Sequence, residues 1–268
     1  MQRFNFRLKF LSWDIFLGRV ELKPKDTTNE DQTKKEIPGT LSKTKLLMKI
    51  ILGFRDIWLA FITVLITSLF VYIASYAYPS LMDIFAVSPQ TPWGIVTSIF
   101  AHAGIEHLIG NMLLLFLFLL YFVVSNFYIH HEEKRQRISF LLITVFSMAI
   151  VSNIATIVLM PKATSIGSSG LVFALEGVLM SFSLINSFET YEWFKQKKIN
   201  GEISLAIEIV NIWVFTFLFL QIVLTPQSFL NVSPGVNIIV HGLSFLSSFV
   251  LVLVWWAARR FLNSRRRR

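Results

Sequence analysis

The chain contains no cysteine, which excludes disulfides, thiolate metal sites and a cysteine nucleophile. Basic charge is absent from long stretches: none of the 25 Lys and Arg residues falls inside a predicted membrane span. The net charge of +9 therefore belongs to loops and tails, and nucleic acid is not an expected partner. No internal repeat is evident, which argues against an inverted-repeat transporter. The first 20 residues also lack the unbroken apolar core of a secretory signal, because Arg3, Arg7, Lys9 and Arg19 interrupt them.

What is present is apolar. Hydrophobic residues make up 54% of the 268, above the roughly 45–50% of soluble domains. Most of the chain divides into runs of the length, about 20 residues, that crosses about 30 Å of hydrocarbon. The hydrophobic pattern predicts six spans, at about 57–78, 106–129, 138–160, 169–187, 203–224 and 236–258. The expected fold class is an all-α membrane protein: a six-helix transmembrane bundle with a polar N-terminal extension. Residues 1–50 read as that extension and its linker, 51–260 as the membrane domain and 261–268 as a basic tail. A surface-lying basic strip is one reading of residues 1–20, and a small element of a cytoplasmic extension is the other. The Pro79–His102 loop has no Lys or Arg, and it is expected to lie in the outer leaflet with Trp93 at the interface.

Charge placement orients the bundle. Twelve Lys and Arg residues precede the first predicted span, three follow the second, three follow the fourth and six lie at the C-terminus, leaving Lys162 alone on the other side. By the positive-inside rule both termini are cytoplasmic and the even spans start at the outer face. His107 and Asn111, Ser169, and His241 all lie in the first turns of such spans. They are expected at one depth, up to roughly 10 Å below the outer surface at 1.5 Å per residue.

These residue types suit acyl transfer. A serine hydroxyl attacks a carbonyl when a base takes its proton, and imidazole is the usual base. Ser169 follows Gly167 and Ser168 and precedes Gly170, where irregular backbone turns into a span. Free N–H groups at a helix start favour developing negative charge there, although Ser168 or Ser169 could simply cap the helix. His241 is an ionisable residue inside a span, which by default marks function; a histidine bonded to a neighbouring carbonyl is the bland alternative. Ser244 and Ser248, four apart, would let its helix approach another closely. His107 and Asn111 share a helix face and can both donate hydrogen bonds, either to an oxyanion or as polar glue between helices. His102 lies near the surface and reads as structural. The spacing of the histidines with Glu106 has no established zinc logic, so no metal is expected. No carboxylate lies near His241 in its span, which leaves a Ser-His pair without a third member. Glu176 and Glu208 are the clear interior acids of the predicted spans, and Glu176 is expected neutral or hydrogen-bonded.

PWGIVTSIFAHAGIEHLIGNM (92–112), GSSGLVFALEG (167–177) and the histidine of VHGLSFLSS (240–248) resemble the rhomboid family of intramembrane serine proteases in its minimal six-span form. The resemblance covers about residues 55–258. It implies Ser169 as nucleophile, His241 as general base, and His107, Asn111 and the Ser169 N–H as oxyanion hole, with His102, Gly167 and Gly170 in support. The implied substrates are transmembrane proteins, cut near the outer end of a membrane segment, often after a small residue. The implied location is the cell membrane, with the site toward the outer side and no metal or organic cofactor. A catalytically inactive, membrane-protein-binding relative is the alternative, and a proton-relaying transporter is more distant. The chain departs from the family pattern in three places. Gly94 follows Trp93 where Arg is frequent. Val240, Ser244 and Ser248 stand at positions the family gives to small residues or glycine. Glu176 replaces an apolar residue.

Overall fold

The computed structural model describes residues 48, 51–127, 129–162, 164–196, 201–224 and 238–265. The expected N-terminal extension, except Met48, and the last three arginines lie outside them. The helices are α1 (Arg55–Ala77), α2 (Ser80–Phe85), α3 (Gly94–Thr97), α4 (Ile105–Asn126), α5 (His131–Leu159), α6 (Ser169–Lys195), α7 (Gly201–Leu224) and α8 (Ile238–Arg265), with a 3-10 turn at Ser98–Phe100. Six of them, α1 and α4 to α8, are long and apolar enough to cross a bilayer. Among the described residues there is no strand beyond the isolated bridges Val87–Ser165 and Ser88–Thr91. A spanning chain must satisfy its backbone within each segment, and helices do so.

Local sequence sets the helix ends. α1 stops at Ala77, just before Tyr78 and Pro79, and α5 stops before Met160 and Pro161, as expected where the residue preceding proline is pushed out of helical backbone. α5 starts seven residues earlier than its apolar run, because Glu132 and Glu133 occupy the first turn, where acids complement the helix dipole. α8 continues to Arg265, past the expected boundary at 258.

α6 is the centre of the bundle: 78% of its spanning window is buried, against 22% for α1 and α7. It also has the lowest hydropathy of the six. Its neighbours are helices rather than lipid, so it can carry Ser181, Ser183, Asn186 and Thr190, all buried. The outer helices instead expose Leu59, Ile66, Phe70 and Ile73 on α1 and Trp213 and Phe217 on α7.

The end of the bundle away from Ser169 is closed by a buried cation. Arg137 on α5 is 1% exposed. Its guanidinium donates to Glu133 at 2.8 Å, Asn126 at 3.0 Å and Asn186 at 2.5 Å, and pairs closely with Glu189. Glu189 also accepts from the Trp256 indole at 3.0 Å. One arginine thus ties α4, α5 and α6 together, and Glu189 extends the network to α8.

The loop between α1 and α4 is held without an arginine after Trp93. The Trp93 indole donates to the Ile84 carbonyl at 2.7 Å, Thr91 Oγ1 to the Ala86 carbonyl at 2.6 Å, and Thr97 Oγ1 to the Phe85 carbonyl at 3.1 Å. Asn153 of α5 donates to the Ile95 carbonyl at 2.9 Å. At Gly94 an added Cβ would lie 2.2 Å from the Ala86 carbonyl oxygen and 2.6 Å from Val87 Cα. This folding of the loop requires glycine there.

Candidate active site

The segment entering α6 is pinned to the loop. Val87 and Ser165 exchange backbone hydrogen bonds at 2.9 and 3.3 Å, and the Gly167 N–H donates to the Ser98 carbonyl at 2.8 Å. Gly167 has φ +121, backbone that glycine tolerates at little cost. A Cβ there would also meet His107 Cε1 at 2.8 Å and Nε2 at 3.2 Å, with Asn111 Nδ2 at 3.8 Å. Gly167 is thus required both by its backbone and by the imidazole beside it. The same distances set His107 and Asn111 against the turn two residues before Ser169.

The two serines of this turn differ. Ser168 occupies the N-cap position of α6 but its side chain makes no capping bond. It is completely buried, and its hydroxyl lies 3.0 Å from His102 Nε2. Ser169, the first residue of α6, is partly accessible. Neither hydroxyl spends itself on capping in the way the sequence allowed.

His102, expected near the surface, is fully buried. Burial, reinforced by the charge of His107, pushes its imidazole down to about 4, so the ring is neutral near pH 7. Its Nδ1 lies 3.3 Å from the Phe100 carbonyl, which can only accept, so Nδ1 carries the proton. Nε2 then accepts from the Ser168 hydroxyl, with the Ser168 N–H also approaching at 3.4 Å. The His102 and His107 rings meet edge to face with centroids 5.3 Å apart. His102 therefore fixes the backbone just ahead of Ser169.

His241 reaches the same region from α8. Its ring stacks on Phe173 with centroids 4.1 Å apart, and Phe173 is one helical turn beyond Ser169. Val240 packs against Gly170, where an added Cβ would lie 3.2 Å from Val240 Cγ1 and 3.5 Å from Ala149 Cβ. Residues 170 and 173 thus bracket the approach of 240 and 241, on the side of α6 that carries Ser169. Both His241 ring nitrogens are buried without a hydrogen-bond partner, so neither a neighbouring carbonyl nor Ser169 holds the ring in this state. Asn111 Nδ2 is likewise buried and unpartnered. A free imidazole and a free amide donor sit at one end of the bundle, around a hydroxyl at a helix start.

Ser244 does bring α8 close to another helix, but that helix is α5 rather than the one that carries Ser169: its hydroxyl donates to Ser152 Oγ at 2.8 Å. α6 lies directly against the α8 backbone at Gly177, and Ser181 donates to the Phe249 carbonyl at 2.8 Å. Glu176, next to Gly177, is buried with Oε1 unpartnered, and Glu208 Oε2 is also buried without a partner. The sequence flagged both acids, and the structure pairs neither of these oxygens. What sequence reading missed was the His102–Ser168 pairing and the buried Arg137; a basic residue flanking an apolar run gives no sign of which way it faces.

Fold and site together define a multi-pass membrane protein with a histidine-flanked serine at one end of a six-helix bundle. The family model described as Rhomboid domain matches residues 89–258, and the chain belongs to the rhomboid family. It is accordingly an intramembrane protease or an inactive relative of one. No curated protein and no solved structure matched the chain.

Proposed function

We propose that the chain is an intramembrane serine endopeptidase that hydrolyses a peptide bond in or near the transmembrane segment of other membrane proteins. One observation carries this reading: His241 is stacked one turn from Ser169 with both ring nitrogens unengaged. A buried histidine serving only structure would be expected to bond a carbonyl.

Ser169 Oγ attacks the substrate carbonyl while His241 takes its proton. The resulting oxyanion is held by the Asn111 side-chain amide, His107 and the Ser169 N–H, which as the first of its helix has no partner one turn back. His241 then returns the proton to the departing amine, leaving an acyl-serine. A water deprotonated by the same ring hydrolyses the ester and restores the serine. The serine–histidine bond is open here, as is common before substrate binds.

Positive-inside charge supports placing the Ser169 end at the outer face of the cell membrane and both termini in the cytoplasm. Residues 1–50 would then be a cytoplasmic extension, 51–260 the protease domain and 261–268 a cytoplasmic basic tail. Substrate helices, the expected partners within the bilayer, enter beside α4 and α7. Presence of both Ser169 and His241 favours an enzyme over an inactive relative.

A fluorophosphonate probe on the purified chain tests the reading. Labelling should occur and vanish in Ser169→Ala and fall strongly in His241→Ala, with cleavage of a membrane reporter following the same order. An unlabelled chain that cleaves nothing would indicate the inactive relative.

A further inference from the structure

One buried acid takes no part in the proposed hydrolysis. Glu176 on α6 is 1% exposed, and among the described residues its Oε1 has no hydrogen-bond partner. Glu133 and Glu189, by contrast, are bound to Arg137. Burying a polar group without a partner is costly, and exchanging such a group for an apolar one is commonly neutral or stabilising. An acid in that state gives the fold nothing that a leucine would not.

Helix geometry fixes the face on which it lies. Ser169, Glu176 and Ser183 are spaced by seven residues, close to two full turns, so the three share one face of α6. Ser183 Oγ lies 2.5 Å from the Tyr121 phenol of α4, which donates to Asn211 Oδ1 of α7 at 3.0 Å. The face that carries Ser169 and Glu176 is thus continued inward by groups that meet α4 and α7, while the neighbouring Gly177 turns to α8. α7 returns across the bilayer antiparallel to α6, so Leu218, seven residues after Asn211 and completely buried, comes to the depth of Glu176. What α7 brings to that depth is apolar and offers the carboxyl no donor.

We propose that Glu176 is a specificity-determining residue: its carboxyl receives an N–H donor, amide or ammonium, from a side chain of the substrate's membrane segment. A carboxyl oxygen accepts in either protonation state. Glu176 lies roughly 10 Å inward of Ser169 at 1.5 Å per residue. A segment bound with its scissile carbonyl at Ser169 continues inward along this face, and that depth corresponds to about three residues of extended chain or about seven of helix. The donor therefore belongs about three to seven residues past the scissile bond, on the side that remains in the membrane. A site with a buried polar group discriminates against ligands that cannot pair it, so a wholly apolar segment is the poorer substrate. The position of the scissile bond rests on the protease reading; the pairing of Glu176 with a donor does not.

Transmembrane peptides titrated into the full chain carrying Ser169→Ala, in detergent, read the pairing without cleavage. One peptide has only leucine in its outer half, and the others carry a single Asn or a single Lys at successive positions there. At one or two positions the donor peptide should bind roughly threefold to twentyfold more tightly, the range of hydrogen bonds between membrane helices. The gain should vanish when Glu176→Leu is added and return, at least for Asn, with Glu176→Gln, which keeps a carbonyl acceptor. A gain for Lys alone identifies a subsite that selects a cation, and a gain for Asn alone one that selects a neutral amide. In the chain with Ser169 the same positions should raise kcat/KM, and they should fall about three to seven residues past the bond that mass spectrometry finds cut. Glu176→Leu should unfold at a temperature no lower than the unsubstituted chain. Equal binding of all the peptides, a gain that survives Glu176→Leu, or a lower unfolding temperature in that variant overturns the proposal. Absence of fluorophosphonate labelling in the unsubstituted chain would overturn the protease reading instead, and the titration would still decide whether Glu176 receives a donor.

Discussion

Gly177 lies directly on the backbone of Phe245: a Cβ added to the glycine would stand 2.2 Å from the Phe245 carbonyl oxygen and 3.1 Å from Phe249 N. Those atoms are main chain and cannot rotate away, so the distance between α6 and α8 is set here, two turns below Ser169. Gly177→Val should force the helices apart. Overpacking costs about 1–3 kcal/mol or more, and we expect a lower unfolding temperature in detergent together with loss of probe labelling at Ser169. Stability and labelling equal to the unsubstituted chain would contradict this packing.

Asn111 offers a buried amide with no partner beside the turn before Ser169. Removing one oxyanion donor elsewhere costs about 100- to 1,000-fold in kcat. Asn111→Ala is expected to slow reporter cleavage by that order while leaving fold and KM nearly unchanged, as steady-state kinetics would reveal. Asn111→Asp, which cannot donate when ionised, should be no better.

His102 gives a pH dependence with a definite sign. Its folded value of about 4 lies below its ordinary 6.5, so the unfolded chain binds the proton more readily. Stability from this group is complete above about pH 6.5 and is lost as pH falls through 4. Protonation also removes the acceptor that Ser168 uses. Thermal unfolding in detergent should be flat above pH 6.5 and decline toward pH 4, and the decline should be shallower in His102→Gln.

Arg137 is expected to be the most sensitive position at the end away from Ser169. Taking away one member of a buried ion pair strands the others, at a cost of about 3–5 kcal/mol. Arg137→Met should therefore unfold at a much lower temperature and expose the far ends of α4, α5 and α6 to amide exchange. Replacing Glu133 and Glu189 together with Arg137 by apolar residues should recover part of the loss, and chemical denaturation would measure it.

Gly94→Arg puts into the loop the residue that the family frequently has there. Because the Ala86 carbonyl and Val87 Cα stand within 2.6 Å of the new Cβ, the substitution should destabilise rather than strengthen the loop. Limited proteolysis between Pro79 and His102 reads this directly, with faster cutting expected in the variant.

Six spans could be read from the chain because hydrocarbon leaves the backbone no partner but its own helix, so apolar length alone is decisive. The serine turn was legible for a similar reason: glycines and hydroxyls have little purpose at that point in a span unless backbone geometry or chemistry requires them. Ser169 as the first residue of α6, and His107 with Asn111 on one face, follow from spacing along single helices. Contacts across helices do not. Whether Ser244 meets α5 or α6, whether Arg137 faces lipid headgroups or Asn186, and which serine His102 holds depend on how each helix is rotated about its axis. That rotation is fixed by packing of side chains distant in sequence, Gly177 on Phe245 and Gly170 on Val240 among them. The sequence by itself determined which segments lie in the membrane and which groups are available for chemistry. Tertiary structure alone decided which of those groups meet, because helix rotation and approach are set by close packing that no local pattern encodes.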